Sequence, residues 1–174
     1  PFDVLADEEI ANGSRVIYNN HVFVAAAFAP TCPNEVIAFP RQEISNVLQT
    51  SEAERRSIIT PILGVFPALF FYRGVTDLNI AIHMAPFQEM ENARKYYRWH
   101  MHIYPRRHKL PVDRAGAEIG FETNVIDVLP ENCASSIRCW YREGPREDRM
   151  VRHQDGSCSP LLQQELRRVL AYSR

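Results

Sequence analysis

Short apolar runs separated by turn-forming residues open the chain and predict strands. These runs occupy residues 15–18, 22–28 and 35–39. Asn19-Asn20 lies between the first two runs and predicts a hairpin, while Pro40 ends the third. The acidic residues 1–14 carry no such pattern and are expected to form a lead-in. The fold is therefore predicted to begin with three strands.

Helical spacing of apolar residues follows over residues 51–74. Ser51, with acidic residues directly after it, is typical of a helix N-terminus. Pro61 and Pro67 lie inside the pattern, and proline removes a backbone donor from a helix interior. We therefore expect a kinked helix or two shorter helices here.

The second half of the chain alternates strand and helix patterns. Strands are predicted at residues 78–84, 98–104 and 117–121, and helices at 130–141 and 160–172. The first two of these strands are expected to be central, and residues 142–159 are charged and predict a loop. Several strands with two or three helices predict an α+β fold with an antiparallel sheet.

Composition narrows the class of protein. The chain has 174 residues, 45% of them hydrophobic and 24% charged, which predicts one globular domain with its own core. A net charge of −1 argues against nucleic-acid binding. There is no long apolar run or leader, and the four cysteines lack metal or redox spacing, so we expect no membrane association and a reduced, cytoplasmic setting.

Three histidines are the main candidate for chemistry. His100 and His102 share one face of a predicted strand, because successive side chains point to opposite faces. If the strand of residues 78–84 pairs with it, His83 joins them, and three imidazoles converge. Such a set suits Zn²⁺ or Fe²⁺. Solvent-facing or hydrogen-bonded strand histidines are the alternative.

The same region is one-sided in charge. Residues 92–112 contain no Asp or Glu and six basic residues, namely Arg94, Lys95, Arg98, Arg106, Arg107 and Lys109. Arg106, Arg107 and the histidines are expected to bind a phosphate or pyrophosphate through charge-assisted hydrogen bonds. Tyr104 shares the face of His100 and His102, and its hydroxyl is expected to be a further donor to a phosphate. A solvated basic loop is the alternative.

An ordered set of motifs resembles the C-terminal half of the galactose-1-phosphate uridylyltransferase family. The motifs are Ile82-His83-Met-Ala-Pro86-Phe87, Trp99-His100-Met-His102-Ile-Tyr-Pro105-Arg106, Ala115-Gly-Ala-Glu118-Ile-Gly120 and Leu129-Pro-Glu131-Asn-Cys-Ala134. The branch that includes ADP-glucose phosphorylase-like proteins is the most similar. The resemblance reaches back more weakly to Pro33-Asn-Glu35 and Phe39-Pro40-Arg41.

This resemblance implies a histidine-triad-like (HIT-like) domain over residues 15–141, a half-barrel of antiparallel strands flanked by helices. It also implies that His83, His100 and His102 hold a structural zinc or iron ion. Glu118 would contact the hexose of a sugar phosphate or nucleotide sugar, with Glu122 as the competing alignment. Residues 142–174 are then an appended charged loop and C-terminal helix.

The sequence departs from the family in one respect that bears on catalysis. The family's nucleophile is a histidine of a His-Pro-His-Gly-Gln motif in the N-terminal half, and no His-Pro-His occurs here. The family's carboxylate metal ligand also comes from that half. The fourth ligand is therefore expected to be water, Glu89, Glu91 or a group from another subunit, and the chain is expected to form a homodimer or to pair with an N-terminal half.

Three functions follow as expectations, and no catalytic residue is assigned. The first is a nucleotidyltransferase-like or phosphorylase-like domain that binds a sugar phosphate or nucleotide sugar. The second is a non-catalytic binding or structural half that needs a partner. The third is a small HIT-like nucleotide hydrolase that uses His100, His102 and Tyr104.

Overall fold

A five-stranded antiparallel sheet with helices on both faces forms the protein, as seen in a computed structural model that describes residues 1–106 and 124–144. The strands are β1 (Val16–Asn19), β2 (Val22–Ala26), β3 (Val36–Pro40), β4 (Asp77–His83) and β5 (His100–Arg106). The helices are α1 (Phe2–Asn12), α2 (Glu52–Leu63), α3 (Val65–Arg73), α4 (Met90–Ala93) and α5 (Pro130–Glu143). Short 3-10 helices lie at Val47–Gln49 and Phe87–Glu89. The predicted α+β class with an antiparallel sheet is confirmed.

The strands run in the order β1-β2-β3-β5-β4 across the sheet. The predicted pairing of the two later strands is confirmed, since β4 and β5 are antiparallel neighbours over seven residue pairs. The predicted central position is confirmed for β5, which also pairs with β3, and β4 is the last strand of the described sheet. Ile80 and Ile82 of β4 are accordingly about half exposed.

The helical stretch after residue 50 divides into two helices, which is one of the two expected alternatives. The Ser51 hydroxyl accepts from the backbone N–H of Glu54, and the Glu54 carboxylate accepts from the Ser51 N–H at 2.8 Å. These two N–H groups have no partner within the helix, so this capping box satisfies them. Pro61 lies in the last turn of α2, and Gly64 separates α2 from α3.

The core has two parts, one on each face of the sheet. Helices α2, α3 and α5 cover one face and bury Val22, Val24 and Ala26 of β2. On the other face, Phe23 and Ala25 pack with residues of α1. Every residue of β2 is therefore buried, whereas a strand with one face in solvent alternates between buried and exposed residues.

Two segments differ from the prediction. Residues 1–14 were expected to be a lead-in without an element, but residues 2–12 form α1, whose Ala6 packs against the sheet and whose Glu9 is buried. Arg142 and Glu143 were predicted to lie in a loop, but they complete the last turn of α5.

Several predicted features lie outside the described residues. These are the strand at 117–121, the helix at 160–172, Arg107, Glu118, Glu122 and the rest of 145–174. No helix in the described part is both long and apolar enough to cross a membrane.

Candidate functional site

His83, His100 and His102 converge on one face of the sheet, as predicted. His83 lies directly opposite His100 in the register of β4 and β5, and His102 lies two residues further along β5. The ring centroids of His83 and His100 are 4.8 Å apart, and that of His102 is 5.5–5.6 Å from both. One ring nitrogen from each residue falls within 4.8 Å of the other two.

A buried carboxylate orients His102. The Nδ1 atom of His102 lies 2.8 Å from Oε1 of Glu35, and the Glu35 side chain is 3% exposed. The second oxygen, Oε2, accepts from the backbone N–H of Thr31 at 2.5 Å and from its hydroxyl at 2.9 Å. A carboxylate that receives three hydrogen bonds is fixed in place and holds its partner in one orientation.

The surroundings of Glu35 favour its ionised form. Burial by itself raises the pKa of a carboxyl group, but the hydrogen bonds from His102 and Thr31 outweigh it and lower the pKa of Glu35 below its usual value. An ionised carboxylate only accepts hydrogen bonds, so Nδ1 of His102 carries a proton and Nε2 faces away from Glu35. In the sequence, Glu35 carries only the signal of the family-like motif Pro33-Asn-Glu35, which does not place it at the site.

His100 is oriented by the backbone. Its Nδ1 lies 3.1 Å from the carbonyl oxygen of Arg98, which only accepts, so Nδ1 is again the protonated nitrogen. Burial lowers the pKa of His100, and the positive charges that His83 and His102 can carry lower it further, while the bond to Arg98 opposes them. The neutral imidazole is therefore favoured, and this is the form that binds metals.

Aromatic side chains border the three histidines. Tyr104 stacks on His102 with ring planes 11° apart, and the rings of Phe2 and Tyr97 pack against His100 with centroids at 5.2 and 5.6 Å. Burial, with the nearby Glu35 charge, raises the pKa of the Tyr104 hydroxyl. Tyr104 therefore remains a hydrogen-bond donor at neutral pH.

The donor set suits a zinc or iron ion. Imidazole nitrogens bind zinc at roughly 2.0–2.1 Å, so two of them on one ion lie at most about 4.2 Å apart. In a tetrahedral site the nitrogens would lie about 3.4 Å apart, so the observed separations within 4.8 Å would have to close by roughly 1 Å for all three to bind one ion. His100 and His102 both use Nδ1 for hydrogen bonds, so Nε2 is the atom on each that could bind a metal ion.

The expected carboxylate ligands from the α4 region do not join this cluster. Within residues 1–106 and 124–144, the group of close donors consists of the three histidines. The Glu91 carboxylate instead accepts from Gln49 Nε2 at 3.1 Å and faces Arg94 at 3.4 Å. Glu89 lies outside the group as well.

The basic residues predicted to bind phosphate are only partly described. Arg106 ends β5 and lies on the same face as the histidines by strand alternation, at roughly 13 Å from His102 along the strand. Tyr104 stands between them on that face. Arg107, Glu118 and Glu122 cannot be placed on the site, because they lie outside the described residues.

Two of the three described cysteines belong to the core. Cys133 and Cys139 lie on the buried face of α5. Burial raises the pKa of Cys133 to about 12 and, with the nearby Glu35 charge, that of half-buried Cys32 to about 12. Neither of these two thiols forms a nucleophilic thiolate near neutral pH.

Solved structures share this architecture. A uridylyltransferase mutant matches with a TM-score of 0.61 and 21% sequence identity over 79% of this chain and 50% of its own. An ADP-glucose phosphorylase from Arabidopsis thaliana, with bound ADP-glucose, matches at 0.59 and 23% over 76% of this chain and 42% of its own. A zinc-bound histidine triad family protein from Mycobacterium smegmatis matches at 0.53 and 14% over 78% of this chain and 90% of its own.

These likenesses establish the fold. The chain is an α+β domain with the HIT-like fold, as the sequence resemblance implied. It spans about half the length of the uridylyltransferase and less than half of the phosphorylase. No protein-family model and no curated protein sequence matches the chain.

Proposed function

We propose that this chain is a nucleotidyltransferase-like or phosphorylase-like domain that binds zinc or iron through His83, His100 and His102. The single observation that carries the proposal is the convergence of these rings on one sheet face. The hydrogen bonds that occupy Nδ1 of His100 and His102 add support, because they present Nε2 of both residues as ligands. The zinc-bound histidine triad neighbour supports the same inference at the level of the fold.

The bound ligand in this proposal is a sugar phosphate or nucleotide sugar. A zinc or iron ion, when bound, supplies a positive charge that holds the three imidazoles together and favours an anion nearby. Tyr104 would donate its hydroxyl to a phosphate oxygen, and Arg106 and Arg107 would add charge-assisted hydrogen bonds. Glu118 would bind the hexose. The neighbour that holds ADP-glucose supports this class of ligand.

We propose that the catalytic nucleophile is supplied by a partner and not by a motif of this chain. The sequence carries no His-Pro-His, and the chain corresponds to about half of the uridylyltransferase it matches. We therefore propose that residues 15–141 supply metal and sugar-phosphate contacts, and that an N-terminal half or a second copy completes the site. In that arrangement the chain by itself binds the ligand without turning it over.

A stand-alone HIT-like hydrolase is the second candidate. Its support is the orientation of His102, which Glu35 and Tyr104 hold with Nε2 facing away from the carboxylate. That nitrogen would attack the phosphorus of a nucleotide and displace the leaving group, and water would then release the nucleotide from the histidine. Metal ligation uses the same nitrogen, so the two functions exclude each other at His102.

Metal content distinguishes them. Protein purified without added metal is expected to contain close to one equivalent of zinc or iron by elemental analysis. The His100→Ala, His102→Ala double variant is expected to lose it, and His21→Ala, which alters an exposed histidine of the β1–β2 hairpin, is expected to keep it. A wild type free of metal that hydrolyses nucleotides would support the hydrolase instead.

Ligand binding tests the second part of the proposal. Calorimetric titration with glucose 1-phosphate and with ADP-glucose is expected to show binding that Glu118→Gln weakens more than Glu122→Gln. Equal effects of the two substitutions, or the reverse order, would contradict the assignment of Glu118. A natural gene that continues upstream with a His-Pro-His-Gly-Gln segment would identify the missing half.

A further inference from the structure

We infer that Glu35 is a positioning residue, which fixes His102 in its Nδ1–H form and thereby directs Nε2 toward His83 and His100. The inference rests on the proposed metal site. It goes beyond that site because it assigns a role to a residue that contacts no metal. The juxtaposition that carries it is a buried carboxylate oxygen 2.8 Å from the ring nitrogen of His102.

The carboxylate of Glu35 is held too firmly to be an incidental neighbour. The residue Glu35 directly precedes β3 and is 4% exposed as a whole. It lies 67 positions from His102 in the sequence. Both hydrogen bonds from Thr31 end on Oε2, so Oε1 is left for His102. The group that orients the imidazole is therefore itself oriented by the loop before β3.

That loop is in turn anchored to the helical layer. Asn34 adopts a left-handed backbone with φ of 64°, and its side-chain oxygen accepts from Arg73 Nε of α3 at 2.9 Å. Its carbonyl oxygen faces the Cys133 thiol of α5 at 3.8 Å. These contacts determine where the next residue, Glu35, enters the sheet.

The chemical consequence concerns the tautomer. A neutral imidazole can carry its proton on either nitrogen, and a proton on the metal-facing nitrogen blocks ligation. The Glu35 carboxylate accepts only, so it selects the proton on Nδ1 and leaves a lone pair on Nε2. Its negative charge also makes Nε2 a stronger electron-pair donor to a metal ion, as carboxylates bonded to metal-binding histidines generally do.

A purely structural role for Glu35 predicts something different. If the carboxylate only satisfied Thr31 and filled space, its replacement would alter stability but leave the tautomer of His102 and its affinity for metal unchanged. The ring nitrogens of His102 therefore provide the deciding readout. Stability alone does not decide the question.

The first experiment uses the unaltered chain. In metal-free protein labelled with ¹⁵N, two-bond correlation spectra are expected to show a protonated Nδ1 and an unprotonated Nε2 for His102. A His102 ring with the proton on Nε2, or an even mixture of the two tautomers, would overturn the inference. This measurement requires neither a substitution nor bound metal.

The second experiment compares two neutralised carboxylates. Glu35→Gln is expected to populate the other tautomer of His102 and to weaken Zn²⁺ binding about 10–100-fold in competition with a chelator. Glu9→Gln is the matched control, since Glu9 is also buried but pairs with Arg15. It is expected to leave both the tautomer and the zinc affinity unchanged.

Failure of the inference can be told apart from failure of the metal site. If the wild type binds no zinc but shows the Nδ1–H form, and Glu35→Gln removes that form, the metal site is refuted and the positioning role stands. If the wild type binds zinc and Glu35→Gln has the same His102 tautomer and the same zinc affinity, only the positioning role is refuted.

A second variant is available should Glu35→Gln fail to fold. Thr31→Val keeps the Glu35 carboxylate and removes one of its hydrogen-bond donors. This variant is expected to weaken zinc binding less, and unchanged binding would count against the inference.

Discussion

His83 and His100 face each other across β4 and β5 with ring planes 12° apart. Two nearly parallel imidazoles at this distance repel each other when both are protonated. In the proposed metal site both rings would bind one cation as neutral donors. We therefore expect the affinity for a metal ion to depend strongly on this pair.

Removal of the exposed member of the pair tests this dependence. His83→Ala is expected to weaken Zn²⁺ binding by more than about 100-fold, since even partners behind the ligands contribute about 10–100-fold. Stability of the metal-free protein is expected to change by less than about 0.5 kcal/mol, because His83 is exposed. Chelator competition and urea unfolding measure the two quantities, with His21→Ala as control. An unchanged affinity would exclude His83 as a ligand.

Arg15 links helices α1 and α5 to the sheet. Its Nε lies 3.0 Å from Glu9 and its Nη1 lies 2.8 Å from Glu131. Arg15→Ala leaves Glu9 buried without its counter-charge, and we expect a loss of about 2–4 kcal/mol in the free energy of unfolding. Urea denaturation measures this loss. Adding Glu9→Gln is expected to recover part of the loss, and a double variant as unstable as the sum of the two single changes would contradict the pairing.

The same arginine predicts a pH dependence at Glu131. Hydrogen bonding to Arg15 lowers the pKa of Glu131, so this pair stabilises the fold above the ordinary glutamate pKa of about 4.3. The contribution is lost as the pH falls through the lower pKa of the folded state. Urea titrations of wild type and Glu131→Gln are expected to differ at pH 7 and to converge in acid. A difference that is constant with pH would contradict this account.

Gly64 and Tyr141 lie too close for a larger residue at the junction of α2 and α3. A Cβ atom on Gly64 would lie 2.8 Å from Cζ and Oη of Tyr141, whose hydroxyl donates to the carbonyl of Pro61. The backbone at Gly64 is ordinary right-handed helix, so alanine fits the backbone and only the contact opposes it. Gly64→Ala is expected to cost about 1–3 kcal/mol in thermal or urea unfolding. The cost should shrink in a Tyr141→Leu background, and an equal cost there would exclude the contact as its cause.

Local patterns were sufficient for most of the described fold. The hairpin, the third strand and the cap at Ser51 depend on residues close together in sequence, and each was predicted. The prolines at 61 and 67 predicted an interruption of the helix without locating it at Gly64. The convergence of the three histidines was also predictable, because it requires only strand alternation and one correct pairing.

Contacts between distant residues were not predictable in this way. Helix α1 has a weak apolar pattern, and its buried Ala6 and half-buried Phe2 are covered because they pack with Phe23 and Phe39 of the sheet. Glu35 carried a signal only as part of Pro33-Asn-Glu35, since its partner is 67 positions away. The pairing of β5 with β3 likewise joins residues more than 60 positions apart.

The left-handed turn at Asn34 joins the two sides of the protein at a single peptide. Its side chain is bound by a helix on one side of the sheet, and its successor in the sequence supports an imidazole on the other. Attempts to make this protein more thermostable by redesigning α3 would therefore have to retain Arg73. A redesign that removed it would disturb a histidine that no substituted side chain touches.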